Sequence, residues 1–119
     1  NDVAGMHRMQ ADRLARKHLS QAETALKSSD RNAFYNALGK ALHGYIGDKF
    51  GLGPAEINAA KLRELYGRYS NGEAVASEYI QLLEVCDMAR FAPVEEKPRQ
   101  QVYEQAIALI GRTEQLVRA

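Results

Sequence analysis

A single cysteine, Cys86, rules out any disulfide within the chain and suits a reducing compartment. No run approaches the ~20 consecutive apolar residues of a membrane span. No succession of charged, apolar and small residues marks a secretory signal. The opening Asn1 is not a start residue, so the sequence reads as a piece of a longer protein, and missing signals carry no weight for that parent. Charge of one sign is lacking too. Sixteen Lys and Arg face fifteen Asp and Glu, a net charge of +1. No whole-molecule field therefore draws the chain to nucleic acid or lipid, and any basic attraction is local. No stretch alternates strictly enough for strands, and there is no low-complexity segment or fixed repeat.

What is present is ordinary globular composition. Apolar residues make up 45% and charged residues 26%. That is too apolar for a disordered tail. At 119 residues the chain fits one domain, with a core that needs neither disulfide nor metal.

Helical periodicity appears five times. From about Met6 to Lys27, Ala15, Leu19, Ala22 and Leu26 form a narrow apolar stripe, backed by Arg8, Asp12, Arg13, Arg16, Lys17 and Glu23. Ser28-Ser29-Asp30 stops this helix, and Asp30 caps the next. From Arg31 to Phe50, residues Phe34, Leu38, Ala41, Leu42, Tyr45, Ile46 and Phe50 make the wide face of a central helix. Gly39, Gly44 and Gly47 each cost that helix about 1 kcal/mol, and close approach of neighbouring helices is the expected reason. Gly51-Leu52-Gly53-Pro54 breaks the pattern, and Pro54 opens a short turn over Ala55 to Ile57. Asn58 caps a third helix with Leu62, Leu65, Tyr66 and Tyr69 inside, ended by Ser70-Asn71-Gly72. A fourth runs from Glu73 to about Arg90, with Val75, Tyr79, Leu82, Leu83 and Cys86 inside, and Phe91-Ala92-Pro93 closes it. After a charged linker, a fifth runs from Pro98 to about Val117 on Val102, Ala106, Leu109, Ile110, Leu116 and Val117. The predicted fold is all-α: an antiparallel bundle of about five helices in one domain over 1–119, in segments 6–27, 31–93 and 98–117.

Reactive chemistry is scarce. His7, His18 and His43 lie neither three nor four residues apart, and one cysteine cannot start a zinc site. His43 reads as a half-buried structural residue. Cys86 falls on an apolar stripe beside Asp87, whose charge opposes a thiolate, so it reads as core. Gly51-Leu52-Gly53 follows no strand and lacks the Gly-Lys-Ser/Thr of a phosphate loop. Glu95 and Glu96 read as solvated linker charge. The expectation is no catalytic site, no metal and no cofactor.

Two binding readings stay open. Ile46 to Ala60 resembles a helix-turn-helix, with Gly51 at the turn and Ile57 and Ala60 where a second helix would pack. That helix opens on Pro54, Ala55, Glu56 and Asn58, with only Lys61 and Arg63 basic, a poor reading head for bases. Nucleic-acid binding is thus the alternative rather than the leading reading. Separately, Arg8, Arg13, Arg16 and Lys17 form a basic face. It is either simply solvated or drawn to anionic lipid at about 1 kcal/mol per residue.

Two blocks carry a resemblance. One is Ala33-Phe34-Tyr35-Asn36-Ala37-Leu38 with Gly44-Tyr45-Ile46-Gly47-Asp48-Lys49-Phe50. The other is Leu82-Leu83-Glu84-Val85-Cys86-Asp87-Met88-Ala89-Arg90-Phe91-Ala92-Pro93. Both resemble the C-terminal domain of BatD-type proteins of the Bat aerotolerance operon. Ala15-Arg16-Lys17-His18-Leu19 and Val102-Tyr103-Glu104-Gln105-Ala106 are similar as well. Gly39 and Gly47, where serine is common, and His43, where an aromatic residue is, depart from the pattern. The resemblance implies a Gram-negative inner-membrane parent with this domain on its cytosolic side, and Arg8, Arg13, Arg16 and Lys17 just past the membrane. The isolated domain would then be soluble. It implies a non-enzymatic adaptor tied to oxygen tolerance and envelope stress. The implied protein partners are a MoxR-type AAA+ ATPase or von Willebrand factor A proteins, and no nucleic acid.

Asp48, Arg90, Phe91 and Pro93 form the remaining candidate motif. Phe91 is expected to pack into the bundle and Pro93 to stop the helix. Arg90 either pairs internally, with Asp48 or Asp87, or points outward as part of a partner-binding surface.

Overall fold

Asp30 divides the first two helices: its carboxylate accepts from the Ala33 N–H at 3.1 Å and caps the second. The computed structural model describes residues 3–91 and 94–118, with the side chains of 3–12, 14 and 15 outside the description. Among these residues there are five α-helices and no strand: α1 (Val3–Lys27), α2 (Arg31–Phe50), α3 (Ala59–Tyr66), α4 (Gly72–Met88) and α5 (Arg99–Arg118). A 3-10 turn at Pro54–Glu56 leads into α3, which Asn58 caps by accepting from the Lys61 N–H at 2.9 Å.

The contacts fix the directions. Tyr103, near the start of α5, donates to Glu23 near the end of α1. Arg31 at the start of α2 reaches the Ala89 carbonyl just past α4, while Tyr79, further up α4, donates to Leu42. Arg112 near the end of α5 meets Glu78 in the first half of α4. Helices α1 and α4 therefore run one way and α2 and α5 the other. Together α1, α2, α4 and α5 form an antiparallel four-helix bundle, with the short α3 laid on α4.

The core is the one expected from periodicity. Phe34, Leu38, Leu42, Tyr45, Ile46, Tyr79, Leu82, Leu83, Cys86, Ala106 and Ile110 are all buried. Each large apolar side chain among them contributes about 1.5–3 kcal/mol. Six further members, Ala25, Tyr35, Ala76, Ile80, Ala89 and Tyr103, lie outside the predicted stripes.

The glycines of α2 differ in purpose. A Cβ on Gly39 would lie 3.4 Å from the Cys86 Cβ, so Gly39 lets α2 and α4 approach closely. Gly47 instead makes room for the chain folding back after its own helix, since a Cβ there would meet the Leu52 carbonyl at 3.0 Å. Gly51 adopts φ 66°, and the Leu52 N–H returns to the Gly47 carbonyl at 2.9 Å, closing α2. Gly72 opens α4 rather than merely ending α3, and a Cβ there would fall 1.8 Å from the Tyr66 carbonyl oxygen.

Several boundaries and contacts differ from those the periodicity predicts. Helix α1 begins at Val3 instead of Met6, α3 stops at Tyr66, and α4 stops at Met88. Ala60 is exposed and Ala59 packs on the core in its place. Phe91 does not enter the bundle; it stands 74% exposed, because the chain has already left the helix when it reaches that position.

Candidate interaction site

The Arg31 guanidinium donates to the Ala89 carbonyl at 2.9 Å, so α2 supplies the partner that the end of α4 lacks within its own chain segment. Arg31 also lies 3.8 Å from Glu95. Glu95 is the hub of this end. It accepts from the Tyr35 hydroxyl at 2.7 Å and from Arg99 Nε and Nη2 at 3.0 Å each, a forked pairing. The Arg99 hydrogen bonds hold the Glu95 carboxyl below its usual range against a smaller opposing effect of burial, with Tyr35 helping. Burial, then the Glu95 bond and charge, push the Tyr35 phenol up to about 12. Glu95 is thus no simple solvated linker charge. It ties the linker to α2 and α5, and its four-residue spacing from Arg99 was the signal available in the sequence.

Tied down in this way, the segment presents an apolar stripe. Val85, Met88, Phe91 and Val94 are 41%, 60%, 74% and 74% exposed, and they are the only large hydrophobic residues so exposed among the described side chains. They recur every three residues, first on the outer side of α4 and then on the turn where the Phe91 N–H donates to the Met88 carbonyl. Between this stripe and α5 lies a cleft of about 250 Å³, with Leu82, Ala89 and Val102 among its apolar lining. Between α4 and α2 runs a more open groove of about 550 Å³, past Gly39, lined by Asn32, Asn36, Lys40, His43, Asp87 and Arg90. Tyr35 and Ala89 border both.

Arg90 points outward. Its guanidinium lies 6.0 Å from the Phe91 ring centroid, and it makes no ion pair among the described residues. Asp48 pairs instead with His18 at 3.6 Å, and Asp87 is exposed, so neither is the internal partner considered for Arg90. Pro93 lies outside the described residues, as does the side chain of Arg8. Arg13, Arg16 and Lys17 are exposed along α1. His43 is half-buried in the wall of the open groove.

Cys86 underlies this region. Burial, with a smaller contribution from Asp87, pushes its thiol up to about 12, the opposite of an activated thiolate. Among the described residues no group of three or more His, Cys, Asp or Glu side chains converges in a metal-binding arrangement. None of the described helices is long and apolar enough to cross a membrane.

A second acid-centred network closes the other end of the bundle. Glu114 is 3% exposed, yet Lys49 Nζ lies 2.8 Å from it, Arg118 reaches it at 3.6 Å, and the Tyr45 hydroxyl donates to it. Burial pushes the Glu114 carboxyl up, but the Lys49 and Tyr45 hydrogen bonds outweigh it and the group sits below its usual range. Nearby, Thr113 donates to the Leu109 carbonyl at 2.8 Å, so its hydroxyl accepts from Tyr66 at 2.7 Å. Sequence reading missed both Thr113 and Glu114. They continue the α5 stripe three and four residues beyond Ile110, but their polarity hid them.

The helix-turn-helix geometry is poorly served. Helix α3 spends Leu62, Leu65 and Tyr66 on packing, while Lys61 and Arg68 both approach Glu64, at 4.0 and 3.2 Å.

Comparison of the chain with family models, with curated proteins and with solved structures finds no match.

Proposed function

We propose that this chain is a non-enzymatic protein-interaction domain, whose working surface is the end of α4 and the turn after it. The observation that carries the reading is the exposure of Val85, Met88 and Val94 around one cleft, with Phe91 exposed on the turn between Met88 and Val94. Scattered exposed apolar residues need no explanation, but a contiguous exposed set marks a contact site. The hydrogen bonds of Glu95 anchor the chain next to Val94 before any partner arrives, which lowers the ordering cost of binding.

The BatD-type assignment is part of this proposal. Its support is the likeness of two blocks, which fall on α2 and on α4 with the following turn, the walls of the open groove. On that reading the domain is the cytosolic part of an inner-membrane protein. Its partners are a MoxR-type AAA+ ATPase or a von Willebrand factor A protein, concentrated by tethering. Exposed Arg13, Arg16 and Lys17 suit a juxtamembrane position.

Photo-crosslinking tests the proposal. A benzophenone side chain at position 88, in the parent protein in its own membrane, is expected to capture such a partner. The same group at exposed Glu73, on the far end of α4, is expected not to. Equal capture from both positions, or capture unaffected by Phe91→Asp, overturns it.

A further inference from the structure

We infer that the partner segment of this surface is an acidic amphipathic peptide, with an apolar anchor in the cleft beside Val85, Met88 and Val94 and carboxylates over Lys40 and Arg90. The inference rests on the interaction-domain reading and deepens it. The cleft measures about 250 Å³, below the ~300–1,000 Å³ typical of small-molecule sites, so it suits one or two side chains rather than a whole cofactor.

Charge complementarity selects the partner. Several cations in this bundle are already matched. Arg31 and Arg99 serve Glu95, Lys49 and Arg118 serve Glu114, Arg112 serves Glu78, and Lys61 and Arg68 serve Glu64. Lys40 and Arg90 line the open groove and make no ion pair among the described residues. The single acid in that groove, Asp87, pairs with neither. Asn32 and Asn36 add amide donors for a carboxylate on the α2 side. Because Tyr35 and Ala89 border both cavities, the two are adjacent, and one peptide segment can place its anchor in one and its carboxylates in the other. An anionic membrane is a worse match. Exposed Asp87 lines the groove and exposed Glu96 the cleft, and a flat lipid surface would be repelled by both while a peptide can step around them.

Selection from a random 12-residue peptide display library on the immobilised 119-residue chain tests this. The expected result is a set of peptides with one or two large apolar residues flanked by Asp or Glu. Their binding should be abolished by Met88→Asp with Phe91→Asp. It should weaken roughly tenfold in Kd with Lys40→Glu plus Arg90→Glu. Repeating the selection on the charge-reversed chain should enrich Lys and Arg instead. All four positions are exposed, and unchanged circular dichroism and melting of each variant verifies folding. Peptides that depend on Met88 and Phe91 but carry no acidic bias overturn the acidic partner and leave the interaction surface standing. Peptides indifferent to Met88 and Phe91, or no enrichment at all, overturn both. Sedimentation with phosphatidylserine vesicles that is lost on Met88→Asp, or a dimer dissociated by that change, assigns the face to lipid or to a second copy and refutes the peptide.

Discussion

The two ends of the bundle are each organised around one glutamate, and they treat apolar surface in opposite ways. Glu114 is buried at one end, with Tyr45, Lys49 and Arg118 around it and Tyr66 and Thr113 alongside. Glu95 is partly exposed at the other, held by Tyr35, Arg31 and Arg99. Around Glu114 the polar groups complete a sealed core. Around Glu95 they anchor a linker while Met88, Phe91 and Val94 are left in solvent. The contrast separates an end built for stability from an end that keeps its apolar surface for something else. A buried charge must be matched or it destabilises, whereas an exposed apolar side chain forfeits only the burial it would have gained.

The sharpest way to break the contrast is to remove Glu114. Glu114→Ala is expected to destabilise by about 3–5 kcal/mol, because Lys49 and the Tyr45 hydroxyl lose their buried partner. A urea midpoint barely changed would show that this network is not a structural lock. The same group predicts a pH dependence. Its folded-state carboxyl lies below the ordinary 4.5, so its stabilisation is complete above that value and is lost as pH falls through the lower folded value. Glu114→Gln should flatten the acid limb of a melting-temperature profile, and an unchanged limb counts against the assignment.

Gly72 probes how tightly the sealed end is built. Gly72→Ala should cost about 1–3 kcal/mol, since the new methyl collides with backbone rather than with a flexible side chain. Thermal unfolding within a degree of the parent would mean that the α3–α4 turn yields freely.

At the open end the effects shrink. Glu95→Gln should cost about 1 kcal/mol, because a partly exposed pairing is screened even when its geometry is forked. Hydrogen exchange around residues 94–99 should rise more than exchange at Tyr45. Smallest of all, Met88→Asp and Phe91→Asp should each leave stability within about 0.5 kcal/mol. A loss comparable to that of Glu114→Ala would make the stripe structural and erase the distinction between the two ends.

How legible each end was in the sequence follows from the same chemistry. Asp30 and Asn58 could be read as caps because a cap is a local bond between a side chain and a nearby amide. Leu38, Leu42 and Ile110 could be read as core because apolar spacing on a helix selects a face without reference to what covers it. Glu95 and Glu114 could not be read that way. Both are carboxylates that composition assigns to solvent, and their partners Tyr35 and Tyr45 lie 60 and 69 residues away. Phe91 misled for the related reason that aromatic character favours burial only where the fold offers a site.

The sequence by itself determined the number and type of elements, the caps Asp30 and Asn58, most of the inner face of each helix and the burial of Cys86. These depend on interactions within about a turn of helix or on one-dimensional apolar spacing. Only the tertiary structure decided that Asp48 meets His18 and not Arg90, that Gly47 serves its own turn while Gly39 admits α4, and that Arg31 completes the end of α4. It also decided which apolar residues remain outside. Those outcomes depend on distances between segments far apart in the chain, and they are set only when the four long helices have packed.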